Sequence, residues 1–118
     1  KAASVVILAS IAATETFFAP NAFNAIKAAL LTYSGQLSQA WGPEGIRVNA
    51  VSPGPVWFEG GNWDGVKKGA PDVWKMVEGT TALKRMGAVE DVANAIAFLA
   101  SPAASWITGT NLIVDGGY

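Results

Sequence analysis

The order of three stretches leaves this sequence little choice of fold. A short β-branched run, Ser4-Val-Val-Ile-Leu8, is followed by a long stretch rich in alanine, leucine and lysine, and then by a second apolar run, Ile46-Arg-Val-Asn-Ala-Val51. Both apolar runs read as strands buried on two faces, which is the pattern of a parallel sheet. Between them, residues 11–20 form a loop closed by Ala19-Pro20, since the residue before proline avoids the helical region. Asn21 is a good N-cap, and Ala22 to about Trp41 is composed of favourable helix formers. Ile26, Leu30, Tyr33 and Leu37 recur at helical spacing and predict one apolar face along a helix of about 30 Å. Gly42-Pro43-Glu44-Gly45 stops that helix, and Ser52-Pro53-Gly54-Pro55 ends the second strand. Strand, helix and strand in this order form a βαβ unit with parallel pairing.

The remainder is less regular at first. Residues 56–79 hold Trp57, Phe58, Trp63 and Trp74 among glycines at 60, 61, 65 and 69, with a short helix expected over Asp72–Glu78 behind Pro71. Val89–Ala100 is an amphipathic helix with Val92, Ile96 and Leu99 on one face, ended by Ser101-Pro102. Thr110–Val114 reads as a third strand, closed by Asp115-Gly116-Gly117. No repeat, low-complexity tract or linker divides the chain.

Composition excludes several kinds of chemistry. The 118 residues contain no cysteine and no histidine, so disulfides, thiol chemistry, most zinc sites and histidine acid/base catalysis are ruled out together. No metal site is expected. A net charge of −1 gives no electrostatic footprint for nucleic acid or an anionic membrane. No apolar stretch is long enough to cross a bilayer, and there is no secretory leader pattern. With 51% of residues hydrophobic and 14% charged, the chain is lean in charge for a free-standing protein of this size. Some of its apolar surface is therefore expected to meet something beyond this chain. Starting without methionine and almost directly in a strand, it reads as a piece of something longer.

The chemistry-bearing constellation is Ser10-x12-Phe23-x3-Lys27. Ser10 falls at the end of the first strand, where ligands collect in open α/β sheets. Phe23 and Lys27 lie one turn apart on the same helix face. Taken singly these residues have ordinary readings: a loop hydroxyl, a packed aromatic and a solvated lysine. Together with Gly45-Ile-Arg-Val-Asn-Ala-Val-Ser-Pro-Gly54, Gly87-x2-Glu90-Asp91-Val-Ala93, Phe98-Leu-Ala-Ser-Pro102 and Gly109-x5-Asp115-Gly-Gly117, they make a set that resembles the C-terminal half of a short-chain dehydrogenase/reductase. The resemblance runs the length of the chain, in order.

That resemblance implies an α/β fold, the C-terminal part of a Rossmann-like doubly wound parallel sheet of order 3-2-1-4-5-6-7. Residues 1–118 would supply its last three strands, and the glycine-rich dinucleotide turn would lie in an absent N-terminal half. The implied activity is hydride transfer between NAD or NADP and a small alcohol or carbonyl substrate. Phe23 stands where the family has its catalytic tyrosine; it keeps the ring but can neither give nor take a proton. Tyr33 lies about three turns along the helix, roughly 15 Å away, and does not replace it. By the same resemblance Lys27 would bind the cofactor ribose and favour phenolate, and Ser10 would orient the substrate oxygen. Pro53, Gly54 and the backbone of Val56 would hold the nicotinamide carboxamide. Trp57, Phe58 and Glu59 occupy the region where the family often has a cofactor-contacting threonine, so that contact is not expected here. The tryptophan-rich stretch that follows reads as a substrate lid, and Asp115-Gly116-Gly117 as a turn without a chemical role. The chain by itself is expected to bind dinucleotide weakly and to be inactive, because of Phe23 and the missing pyrophosphate site. A cytoplasmic homo-oligomer, assembled through helix 22–41 and the C-terminal helix and strand, is the implied setting. Two other readings stay open: a non-catalytic relative that binds a nucleotide or protein partner, and a bare oligomer-assembly module.

Overall fold

The strand β2 (Ile46–Pro53) is buried from Val48 to Ser52, because it has a strand on each side and helices over its faces. The computed structural model describes residues 2–16 and 21–118; the expected loop closure at Ala19-Pro20 lies outside them. β1 (Ala3–Leu8) pairs with β2 in parallel, from Ala3 opposite Ile46 to Leu8 opposite Val51. β3 (Asn111–Val114) pairs on the other side, from Asn111 opposite Ala50 to Val114 opposite Pro53. The sheet order β1-β2-β3 is that of three successive strands of a doubly wound sheet.

Two polar side chains inside β2 carry information about register. Asn49 is fully buried, yet its amide donates to the Ile107 carbonyl at 2.9 Å and its Oδ1 accepts from the Thr110 N–H at 3.1 Å. Ser52 Oγ donates to Asn111 Oδ1 at 2.7 Å. A buried amide left unpaired would be costly, so these bonds favour one alignment of β3 on β2. Arg47 reaches from the same strand to the Leu99, Ser101 and Ile107 carbonyls at 2.9–3.2 Å, neutralising the C-terminal end of α4 (Val89–Ala100). Helix α4 packs Val92 and Leu99 into the core with Val51 and Ala104, and Ile96 joins from the edge, as its periodicity predicts.

Helix α1 (Ala22–Trp41) forms over its predicted span, capped by Asn21 Oδ1 accepting from the Asn24 N–H at 3.0 Å. Its buried face, however, differs from the expected one. Ile26 and Tyr33 are 61% and 54% exposed, whereas the fully buried residues are Ser34 and Ser38. Small side chains let the helix backbone approach β2 closely. At Gly109, which has φ +74°, an added Cβ would come within 2.8 Å of Ser38 Oγ. Leu30 and Leu37 remain half-buried at the flank.

The stretch after β2 is more ordered than its composition suggests. It contains α2 (Asn62–Gly69), which the glycines obscured, and α3 (Pro71–Thr80), longer than the expected 72–78 and taking Pro71 into its first turn. These two helices pack chiefly on each other rather than on the sheet. Buried Asp64 ties them to the preceding loop: it accepts from Trp57 Nε1 at 3.2 Å, the Gly60 N–H at 3.1 Å and Lys68 Nζ at 2.6 Å. Those donors, Lys68 foremost, hold the Asp64 carboxyl below its ordinary pKa despite burial. Lys67 Nζ sits 4.9 Å from the Trp57 ring and 5.0 Å from the Trp74 ring, joining the loop to both helices. Among the described residues, no helix is long and apolar enough to cross a membrane.

Candidate functional site

The C-terminal ends of the parallel strands create the site, because the chain must turn away there and leaves a crevice. After β1, Ala9 N–H bonds the Val51 carbonyl at 2.8 Å, and Ser10 adopts an extended φ of −169°. Ser10 then caps a short 3₁₀ turn (11–13), its Oγ accepting from the Ala12 N–H at 3.1 Å. That bond uses an oxygen lone pair and leaves the hydroxyl proton to be donated elsewhere. Asn24 Nδ2 reaches the Glu15 carbonyl at 3.4 Å, tying this turn to the start of α1.

Phe23 and Lys27 share one face of α1, as their spacing requires: the Lys27 ammonium lies 5.6 Å from the Phe23 ring centroid. Lys27 Nζ also donates to the Leu8 carbonyl at 3.2 Å, which pins the lysine to the end of β1. An ammonium has three donors, so that bond leaves capacity for a ligand's hydroxyls. Phe23 itself is 56% exposed, with its ring at the mouth of a cavity and not in the core.

Ser10, Phe23, Gly54, Pro55, Trp63 and Tyr118 line that cavity, whose volume is about 510 Å³. The structure thus brings together Ser10, Phe23 and Gly54. Lys27 stands beneath Phe23 and not in the cavity lining. Pro53 ends β2 opposite Val114, outside the lining. Gly54 donates its N–H to the Val114 carbonyl at 2.9 Å, and a Cβ there would lie 2.6 Å from Asp115 Cβ. Glycine is therefore required at 54 by the close passage of the chain after β3. Val56 pairs with Gly87 through the Pro55 carbonyl and the Trp57 N–H, both at 2.9 Å. In such a parallel bridge the N–H and C=O of Val56 itself point away from Gly87 and are available on the other side.

Two lining aromatics were not singled out by the sequence as site residues. Trp63 belongs to the tryptophan-rich stretch and arrives on the first turn of α2, so that helix roofs the cavity. Tyr118 follows the Asp115-Gly116-Gly117 turn and is half-buried. Its phenol pKa is raised by burial first and by the Glu15 carboxylate second, so it stays protonated at neutral pH. A larger depression, of about 600 Å³, opens at the opposite, N-terminal ends of the strands around Arg47 and Trp106. The Arg47 guanidinium there is already engaged by three carbonyls, so the strand-end cavity is the better place for chemistry.

The comparisons with known proteins agree with the fold. A family model described as enoyl-(acyl carrier protein) reductase matches residues 1–118. The isoepoxydon dehydrogenase of Penicillium expansum is 44% identical over 116 residues, covering 98% of this chain and 45% of that protein. A solved oxidoreductase of the short-chain dehydrogenase/reductase family from Burkholderia thailandensis superposes with a TM-score of 0.87 at 34% identity, over 97% of this chain and 44% of the other. The structure of BdcA in complex with NADPH matches with a TM-score of 0.84 at 32% identity, over 98% and 45%. A 4-hydroxyisoleucine dehydrogenase complexed with NADH matches with a TM-score of 0.82 at 29% identity, over 97% and 45%. The chain thus spans less than half the length of the proteins it matches. With its three parallel strands, its strand-end cavity and a family match over its whole length, the chain belongs to the short-chain dehydrogenase/reductase family.

Proposed function

We propose that residues 1–118 are the C-terminal segment of one NAD(P)-binding domain that moves a hydride between nicotinamide and a small alcohol or carbonyl compound. The observation that carries this reading is the meeting of Ser10, Phe23 and Gly54-Pro55 around one cavity, with Lys27 anchored directly beneath Phe23. The residues fit the nicotinamide-ribose end of the cofactor. Lys27 has spare donors for ribose hydroxyls, and the peptide of Val56 is turned away from its bridge partner and suits a carboxamide. NAD(P)H, when bound, supplies the hydride. The protein's own part is to hold the substrate oxygen by the Ser10 hydroxyl and to exclude water with Phe23 and Trp63. The phenyl ring of Phe23 cannot move the accompanying proton, so turnover is slow or absent in this reading. Neither NAD nor NADP is singled out by the residues of this segment.

The same missing oxygen supports a second reading, a relative that keeps the fold to bind a nucleotide or protein partner without turnover. The exposed apolar side chains of α1, Ile26 and Tyr33, together with Phe98 on α4 and Ile113 on β3, support homo-oligomer formation through those elements. An oligomer-assembly role alone leaves the shared cavity unexplained. A cytoplasmic location belongs to the proposal on the strength of the resemblance alone.

The deciding experiment is Phe23→Tyr in the full-length protein, followed by nicotinamide absorbance over a panel of alcohols and carbonyls. General acid/base groups contribute roughly 10²–10⁴-fold, about 3–5 kcal/mol of barrier, and a gain of that order is expected. Cofactor affinity should stay nearly constant. Equal rates for the two forms, on substrates that are turned over, would mean that the proton comes from elsewhere and that position 23 is not the acid/base position.

A further inference from the structure

We propose that Tyr118 is a substrate-contacting residue, its phenol hydrogen-bonding an oxygen substituent of the substrate other than the one that undergoes redox chemistry. The inference rests on the reading of the Ser10–Phe23 cavity as the substrate site. Three sets of observations carry it.

The first is that the turn leading to Tyr118 is built, not loose. Gly116 and Gly117 have φ of +64° and +76°, a region other residues rarely adopt. Asp115 Oδ1 accepts from the Gly117 N–H at 2.8 Å, closing the turn on itself. The Leu83 and Ala82 N–H groups donate to the Gly116 and Gly117 carbonyls at 3.0 and 3.2 Å, and Gly54 N–H holds the Val114 carbonyl at 2.9 Å. A Cβ on Gly117 would lie 2.7 Å from Ala82 Cβ, and one on Gly54 would lie 2.6 Å from Asp115 Cβ. Two glycine-only contacts and four hydrogen bonds therefore fix the direction in which the chain leaves β3, and that direction brings Tyr118 to the cavity.

The second is position. Ser10 follows β1 and Tyr118 follows β3, with β2 between them. Neighbouring strands are about 4.8 Å apart, so the two strands that lead to these residues lie roughly 10 Å apart, and Ser10 and Tyr118 reach the cavity from the two sides of β2. They are suited to hold two different oxygens of one ligand rather than the same one.

The third is chemistry. Burial and the Glu15 carboxylate, itself in the cavity lining, keep the phenol protonated and hence a donor. The rings of Phe23, Trp63 and Tyr118 give the cavity flat apolar walls, while Ser10, Asn24 and Glu15 give it polar points. This arrangement suits a small cyclic compound carrying at least two oxygen functions: one is exchanged between alcohol and carbonyl beside Ser10, and the other is held by Tyr118.

The test measures binding, so it needs no proton transfer at position 23. In the full-length protein saturated with oxidised cofactor, calorimetry would follow 2-hydroxycyclohexanone and cyclohexanone as matched probes. Tyr118→Phe keeps the ring and removes one oxygen. It should weaken the hydroxyketone roughly 3–10-fold, the worth of one neutral hydrogen bond, and leave cyclohexanone within about twofold. Trp63→Ala should weaken both probes, which reports that they occupy this cavity. Loss of equal size for both probes in Tyr118→Phe, or no loss for either, would overturn the proposal, as would Trp63→Ala leaving both unchanged. If the Tyr118 pattern appears but Phe23→Tyr brings no gain in turnover, the acid/base reading of position 23 fails and Tyr118 stands. If neither probe binds, the substrate-site reading fails and the Tyr118 proposal with it.

Discussion

In the proposed reading, Phe23 lacks only the one oxygen that proton transfer at this position needs. Its ring stands at the cavity mouth and over Lys27, where a tyrosine ring would fit, because a half-exposed position has room for one more oxygen. In a Phe23→Tyr background, Lys27→Ala should therefore abolish the regained turnover. It would remove the charge that favours phenolate, and it should also raise the cofactor dissociation constant in a direct titration. Two other residues give stability predictions. Gly54→Ala would force a Cβ to within 2.6 Å of Asp115 Cβ, backbone-rooted atoms that cannot swing away. Overpacking of this kind costs about 1–3 kcal/mol, so urea unfolding of the full-length variant should show a lower midpoint. Ser34 Oγ is buried and has no hydrogen-bond partner among the described residues. Ser34→Ala removes an unpaired polar atom and adopts the best helix former, so it should be neutral or stabilising by up to about 1 kcal/mol in the same assay.

At the scale of elements, α2 and α3 form a roof wired more to itself than to the sheet. Asp64 gathers the Trp57 indole, the Gly60 amide and the Lys68 ammonium, and Lys67 lies between two indole rings. Asp64→Ala should leave the sheet intact while loosening this unit. Hydrogen exchange across 60–69 should accelerate about tenfold, with little change in β2. α4 begins differently: Asp91 Oδ2 accepts from the Ala88 N–H at 2.8 Å and from Arg85 at 2.7 Å. These bonds, Arg85 first, hold the Asp91 pKa down to about 2. A carboxylate whose folded pKa lies below its unfolded value stabilises the fold above the unfolded value, and that stability fades as pH falls through the folded one. The contribution of Asp91 should thus be full above about pH 4 and largely gone near pH 2. Comparing Asp91→Asn with the parent by thermal melts should give a difference at pH 7 that narrows on acidification across this window.

The whole molecule is open where a self-sufficient domain would be closed. Its radius of gyration is 15.6 Å, against about 13.5 Å for a compact chain of this length, and its extents are 49 × 29 × 25 Å. Among the described residues β1 pairs only with β2 and lies at one edge of the sheet, and large apolar side chains such as Ile26, Tyr33 and Trp106 face outward. Unpaired edges and exposed apolar faces favour association. Expressed as residues 1–118, the protein should therefore self-associate. Sedimentation at micromolar concentration should give species heavier than the 12.2 kDa monomer, and a well-folded monomer would contradict this.

The sequence by itself determined the three strands, α1 and α4, since each of these carries its own period, cap or terminator within a few residues of itself. It also determined the resemblance and the placing of Ser10, Phe23 and Lys27 near one strand end, because a strand end and a helical turn are local geometry. It did not reveal that Ser34 and Ser38 form the buried face of α1. A helix with apolar residues on one flank and small ones on another is oriented by how closely β2 and Gly109 approach, and that distance is set by the packed sheet. Nor did it reveal α2, whose glycines argue locally for a loop and whose helix is held by bonds from Asp64 to Trp57 and Gly60 and by the α3 beside it. Tyr118 was legible only as the residue after a glycine turn. That it shares a cavity with Ser10, 108 positions earlier, was decided when β1 and β3 took their places on the two sides of β2.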